Sequence, residues 1–295
     1  LFTRRFTCFL IYIMYAHNMN NREKIANNND KFEHKRSLGQ NFLTSDVVPN
    51  WMCDAGKIQI EDTVLEIGPG TGMLTKILLA RGAKVIAIEA DHRAIETLNS
   101  TFTEEIGTKQ LQIHHGDIRD LMPSALNLKD HSFKVVANIP YYLSGFLLRS
   151  LLESKIQPSS ITFLIQKEVA ERIARDKKES LLSLSVKVFG NPTYIKTVTR
   201  GHFNPMPKID SAIISIYDIN RDNFKQIEMS TFFEIIHKGL GNKRKQLLSN
   251  LSHSYKREEL ENIFTKLEIP LKVRGEDVNL DTWLKLTKAL QSTCN

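Results

Sequence analysis

Thr63-Val64-Leu65-Glu66-Ile67-Gly68-Pro69-Gly70-Thr71-Gly72 is the stretch that decides the fold. A β-type run ends in closely spaced glycines, and a helical pattern, Met73 to Ala80, starts at once. A strand that turns through glycines into a helix lets backbone approach a ligand at the carboxyl end of a sheet. Dinucleotide-binding proteins use a related turn, G-x-G-x-x-G, whose helix N-terminus faces a pyrophosphate. Here the spacing is G-x-G-x-G, with Glu66 just before it. A carboxylate repels a diphosphate and attracts a sulfonium ligand that carries an ammonium group. The stretch therefore points to S-adenosylmethionine.

Outward from this turn, apolar β-type runs alternate with amphipathic segments. The runs are Lys84 to Ile88, Leu111 to His114, Phe133 to Ala137 and Ile161 to Ile165. Between them, Ala94 to Phe102 and Gly145 to Glu153 have helical spacing and the length of crossovers. This rhythm predicts a doubly wound, mostly parallel α/β sheet. Two late runs, Thr193 to Thr199 and Ala212 to Tyr217, joined by the Pro-containing loop Phe203 to Lys208, predict an antiparallel hairpin at one edge. Residues 224 to 295 read as helices, with Gly239 and Gly241 breaking one and Pro270 another. The expected division is an N-terminal arm over 1–35, disordered or extraneous, a Rossmann-like methyltransferase domain over 36–220, and a small helical domain over 221–295.

The strand ends supply the chemistry. Glu89 closes the second strand one βαβ step after the glycine turn, where a carboxylate can accept from both ribose hydroxyls of a nucleoside. Asp117, after the third strand, stands at the same edge and can accept from an adenine amine. The fourth strand ends in Asn138-Ile139-Pro140-Tyr141. Adenine N6 is a poor nucleophile because its lone pair is delocalised into the ring. The Asn138 side-chain oxygen and the Ile139 carbonyl can accept its two hydrogens and favour a pyramidal nitrogen. Pro140 stiffens the turn, and Tyr141 can stack on the base for about 1–3 kcal/mol. Asn and Pro are also common loop formers, and a Tyr beside them is often packing. The context of Gly68, Glu89 and Asp117 weights the catalytic reading.

Composition is consistent with this chemistry without specifying it. A formal charge of +7 over 295 residues suits a polyanionic partner. Cys8, Cys53 and Cys294 are scattered and odd in number, which favours neither a disulfide framework nor a metal site and suits a reducing, cytoplasmic setting. No apolar run reaches the roughly 18 residues of a membrane span. Phe6 to Ala16, behind Arg4 and Arg5, has the look of a short address label; an upstream extension or a disordered tail is the plainer reading.

With these residues assembled, the chain resembles the KsgA-type ribosomal RNA adenine N6-dimethyltransferases of the small subunit, from Lys35 to Ala289. Gly39-Gln40-Asn41-Phe42-Leu43 resembles that family's N-terminal motif, which implies that Asn41 and Leu43 close over S-adenosylmethionine. Gly68, Glu89, Asp117 and Asn138 match its cofactor-contacting positions. Gln166-Lys167-Glu168-Val169-Ala170 resembles its segment after the fifth strand. Phe203-Asn204-Pro205-Met206-Pro207-Lys208 is similar to a late Phe-x-Pro-x-Pro motif, which implies that Phe203 stacks on the target base opposite Tyr141. Gly241 to Leu247, with Lys243, Arg244 and Lys245, and Arg274-Gly275-Glu276-Asp277-Val278 resemble the helical part implicated in RNA contact, although a basic run on a helix is usually a solvated face. The resemblance implies two adjacent adenines near the 3′ end of small-subunit rRNA as substrate, within the pre-small ribosomal subunit, and a monomeric enzyme. One departure stands out: Tyr142-Leu143-Ser144-Gly145-Phe146, where the family often has a Ser-Thr-Pro type ending. Two alternatives share the pattern: a large-subunit adenine dimethylase of the macrolide-resistance type, and a nucleic-acid-binding protein like the mitochondrial transcription factors related to these enzymes.

Overall fold

The computed structural model describes residues 42–120 and 123–293. The expected arm over 1–35 and Asn41 lie outside the described residues. The first described element is the short strand β1 (Phe42–Leu43), followed by helix α1 (Val47–Ala55). Then come β2 (Thr63–Ile67), α2 (Met73–Ala80), β3 (Lys84–Glu89), α3 (His92–Thr101), α4 (Thr103–Gly107) and β4 (Leu111–His115). The second half of the sheet is built from β5 (Lys134–Asn138), α5 (Ser144–Glu153), β6 (Ser160–Gln166), α6 (Lys167–Ala174), α7 (Leu181–Lys187), β7 (Asn191–Val198), β8 (Phe203–Asn204) and β9 (Ser211–Tyr217).

The main sheet has seven strands in the order β4-β3-β2-β5-β6-β9-β7. The chain winds outward from β2 to β4, then returns to the other side of β2 for β5 and β6, so direction reverses between β2 and β5. Ligands bind at the carboxyl ends of strands at such a switch point. β2 is parallel to both β3 and β5, and the register Ile67↔Ile88 brings the strand ends level. β9 runs antiparallel to both β6 and β7, which makes the expected edge hairpin with β7 outermost. The central strands are covered on both faces, and their near-continuous apolar character follows: every residue of β6 from Ser160 to Ile165 is buried.

The loop between β7 and β9 holds an element that periodicity did not predict. β8 pairs antiparallel with β1, Leu43 opposite Phe203 and Phe42 opposite Asn204, as a separate two-stranded ladder. Two residues are too short to give a periodic signal.

Among the described residues, four α-helices follow the sheet: α8 (Met229–Leu240), α9 (Leu247–Leu251), α10 (Arg257–Lys266) and α11 (Leu280–Thr293). Gly239 does not break α8, contrary to the sequence expectation. It lies inside the helix because Trp283 of α11, fully buried, packs on it, leaving no room for a Cβ. The helix stops instead at Leu240, with Gly241 as its C-cap. Lys243, Arg244 and Lys245 are also not helical; they occupy an exposed turn between α8 and α9. Apolar residues of these helices, among them Phe232, Ile236 and Trp283, belong to the same buried cluster as Ile161 and Phe163 of β6. A backbone bond from the Glu179 N–H to the Glu276 carbonyl, 2.7 Å, and a Lys178–Glu276 ion pair add polar ties between the α6–α7 loop and the turn before α11.

Candidate active site

The glycine turn forms one wall of an open cleft at the switch point. Gly68 and Gly70 have φ of 67° and 58°, which an L side chain adopts only with strain. A Cβ on Gly68 would meet nothing within 4 Å, so the bare backbone faces open cleft; one on Gly70 would meet the Phe42 ring at 2.9 Å. The turn can therefore lie against a ligand, and β1 can lie against the turn.

Two carboxylates face this space. Glu89, at the end of β3, is 4% exposed; its Oε2 accepts from the Gly70 N–H at 3.0 Å and its Oε1 accepts from the Ala90 and Asp91 N–H groups, each at 2.8 Å. Backbone donors thus fix its orientation, while a carboxylate offers about four acceptor positions in all. Glu66, at 1% exposure, is held on one side only: Thr75 Oγ1 donates to its Oε2 at 2.7 Å. Its Oε1 is buried without a hydrogen-bond partner. Burial, with Glu89 adding to it against the opposing Thr75 bond, pushes the Glu66 pKa up to about 8. No Lys or Arg is among the residues lining the cleft. Acceptor oxygens with no cation among the lining residues suit a cationic ligand, whose charge would displace the Glu66 proton, and offer a diphosphate no partner.

The other wall comes from the end of β5. Asn138, Ile139, Pro140 and Tyr141 line the cleft, as do Leu43 of β1 and Phe203 of β8. Tyr141 is fixed by its hydroxyl, which lies 2.7 Å from the Oγ of Ser211, a fully buried residue at the start of β9. Burial holds the Tyr141 phenol above its ordinary pKa, so the ring is neutral. Pro140 (φ −55°, ψ 134°) leads into a single 3-10 turn, Tyr141–Leu143, that aims the tyrosine back across the strand end.

Of the sequence-predicted site residues, the cleft thus gathers Leu43, Gly68, Glu89, Asn138, Ile139, Pro140, Tyr141 and Phe203. Asn41 lies outside the described residues. Asp117 stands at the same edge beyond β4 but is not among the lining residues. Arg119 Nε donates to its Oδ1 at 2.9 Å, and that pairing holds the carboxyl below its ordinary pKa. Lys243, Arg244 and Lys245 are in none of the cleft walls. Sequence reasoning had no role for Phe42, Thr75 or Ser211. Ser211 lies inside the Pro-rich motif already singled out, whereas Thr75 carries no signal beyond its place one helical turn past the glycines.

A switch-point cleft with a glycine turn, paired acidic strand ends and covered parallel strands defines a class I methyltransferase. The ribosomal RNA adenine dimethylase family matches residues 31–292, and the chain belongs to that family. It is 35% identical over 255 residues to the ribosomal RNA small subunit methyltransferase A of Dehalococcoides mccartyi strain CBDB1, covering 85% of this chain and 87% of that protein. The protein of the same name from Fusobacterium nucleatum is 33% identical over 268 residues, 88% of this chain and 99% of that one. Among solved structures, a dimethyladenosine transferase from Plasmodium falciparum superposes with a TM-score of 0.69 at 27% identity, covering 83% of this chain and 95% of that chain. The 23S rRNA methyltransferase ErmE superposes at 0.66 with 22% identity, 85% and 100% covered, a likeness of fold alone.

Proposed function

We propose that the protein uses S-adenosylmethionine to dimethylate the N6 amines of two adjacent adenines near the 3′ end of small-subunit rRNA, within the pre-small subunit. The observation that carries this reading is the meeting, in one cleft, of an acidic cofactor wall with the Asn138–Tyr141 wall. The names of relatives that match over most of their length favour the small subunit as substrate.

On this reading the unpartnered Glu66 Oε1 receives the ammonium group of the cofactor, Glu89 its ribose hydroxyls, and the Gly68 backbone the groups between. Asn41, Leu43, Asp117 and Asn138 complete the contacts by family resemblance. Bound there, S-adenosylmethionine supplies an electrophilic methyl group. The protein's own work is positioning. The Asn138 oxygen and the Ile139 carbonyl accept the two N6 hydrogens, which draws the nitrogen lone pair out of conjugation. Pro140 fixes the turn, and Tyr141 and Phe203 hold the base by its faces. The proton is lost readily once the nitrogen is cationic, so the chemistry asks for alignment rather than a general base.

The helices after Asn220 serve as the RNA-holding part, with Lys243, Arg244 and Lys245 on the backbone phosphates; all three are exposed. A monomeric cytoplasmic enzyme is the setting this implies. The test is to offer purified small and large ribosomal subunits separately with a labelled methyl donor. Dimethyladenosine in the small subunit alone is the expected result; label confined to the large subunit overturns the assignment and favours the macrolide-resistance alternative, and label in neither favours a binding protein.

A further inference from the structure

The stretch Tyr142 to Phe146, which follows the Asn138–Tyr141 wall of the cleft, carries a surface feature of its own. Large apolar side chains are generally withdrawn from water, and exposed aromatic groups gathered in one place mark contact surfaces. Among the described residues, Tyr142 and Phe146 are the only Phe, Tyr or Trp that are exposed, at 56% and 41%. They are four residues apart across the 3-10 turn and the first turn of α5, a spacing that puts two side chains on one helical face. The residues that follow, Leu147 and Leu148, are fully buried and anchor this ledge to the core.

Its position ties it to the cleft. Tyr142 is next in sequence to Tyr141, which lines the wall where the target base is read. The Tyr142 hydroxyl also lies in the field of Arg119 and Asp117, which follow β4. In the sheet β4 and β5 are separated by β3 and β2, yet the segments that follow them come within electrostatic range of each other at Tyr142 and Arg119. Arg119, paired with Asp117 and about half exposed, is the cation whose field reaches the Tyr142 hydroxyl. A flat apolar face next to a cation is the pairing that single-stranded nucleic acid uses, one part for a base and the other for its phosphate.

An energetic argument selects the occupant. Drawing one base into an enclosed cleft unstacks it from its neighbour, at a cost of a few kcal/mol. The neighbour then needs a new face, within one nucleotide of the target. We propose that Tyr142 and Phe146 form a stacking ledge for the RNA base adjacent to the target adenine, with Arg119 on the intervening phosphate, so that this enzyme reads a dinucleotide step rather than a single flipped base. The inference rests on the adenine-methylating reading of the cleft.

The test uses the full chain with S-adenosylmethionine and short single-stranded RNAs in which 2-aminopurine replaces the nucleotide on either side of the target adenine. Stacking on the ledge quenches the probe on one side of the target. Tyr142→Ala and Phe146→Ala are expected to remove the quench and to raise KM for RNA about tenfold, more than they lower kcat. Tyr142→Phe, which keeps the face, retains both, and unchanged cofactor affinity checks that the variants are folded. Wild-type quench and KM in both alanine variants overturn the ledge. A wild-type protein that quenches the probe yet transfers no methyl group overturns the catalytic reading and leaves the ledge standing.

Discussion

Asn138 and Glu66 face the same cleft from opposite walls, and their tasks separate cleanly. Asn138 is proposed to act on the nucleophile, so Asn138→Ala should lower single-turnover methyl transfer by at least about 100-fold, the usual cost of losing one aligned polar partner of a transition state. Cofactor affinity by calorimetry should fall far less than the transfer rate, because Asn138 is one cofactor contact among several; transfer at wild-type rate would remove Asn138 from the mechanism. Glu66 belongs to the cofactor wall and also sets a pH dependence of folding. Its carboxyl holds a proton up to about pH 8 in the folded protein, against an ordinary value of 4.5. Between those values the folded state binds more protons than the unfolded one, so the ligand-free protein loses stability as pH rises from about 4.5 to about 8. Glu66→Gln keeps an acceptor for Thr75 and removes the titration. Its melting temperature relative to wild type should therefore be higher at pH 8 than at pH 5, and an equal difference at both would refute the assignment.

Elements with a strong period were legible from sequence, while those defined by a single contact were not. Met73–Ala80 and the five parallel strands were placed nearly residue for residue because apolar runs alternating with amphipathic segments leave one sheet topology open. Gly239 misled because intrinsic propensity speaks of an isolated helix, whereas here Trp283 occupies the space a side chain would need. Gly239→Ala should therefore destabilise the protein by about 1–3 kcal/mol through overpacking despite alanine's better helix propensity, read as a lowered denaturant midpoint. At α7 the effect has a local cause. Ser180 and Ser183 form a reciprocal capping box, with the Ser183 N–H donating to Ser180 Oγ at 3.1 Å and the Ser180 N–H donating to Ser183 Oγ at 2.7 Å. Ser180→Ala should cost about 1 kcal/mol in the same measurement.

At the scale of the whole molecule, most of the cleft could be read from residues at strand ends, since the order of strands brings those ends together without any knowledge of how side chains pack. What could not be read were partnerships across long sequence distance: Ser211 with Tyr141, and β1 with β8. The net charge of +7 likewise said that a polyanion was welcome without saying where it lies. Replacing Lys243, Arg244 and Lys245 by alanine should weaken RNA binding and flatten the dependence of log K on log salt by about 0.7 to 0.9 for each phosphate that is no longer neutralised. An unchanged slope would place the RNA elsewhere.

The β1–β8 ladder has a kinetic consequence. It joins two residues to two, reinforced by the Thr44 N–H and Thr44 Oγ1, which both donate to the His202 carbonyl, at 3.0 and 3.1 Å. So short a ribbon has little stability of its own, yet Leu43 and Phe203, both lining the cleft, are its opposed pair. Opening it separates one rim from the other while the seven-stranded sheet stays intact, a sub-global event far less costly than unfolding. Such an opening is the expected route for ligands into the cleft, and hydrogen exchange tests it. The Thr44 amide should exchange with deuterium much faster than that of Leu65 in the free protein and slow when ligand bridges the rims, whereas protection equal to that of β2 without ligand would mean the door is elsewhere.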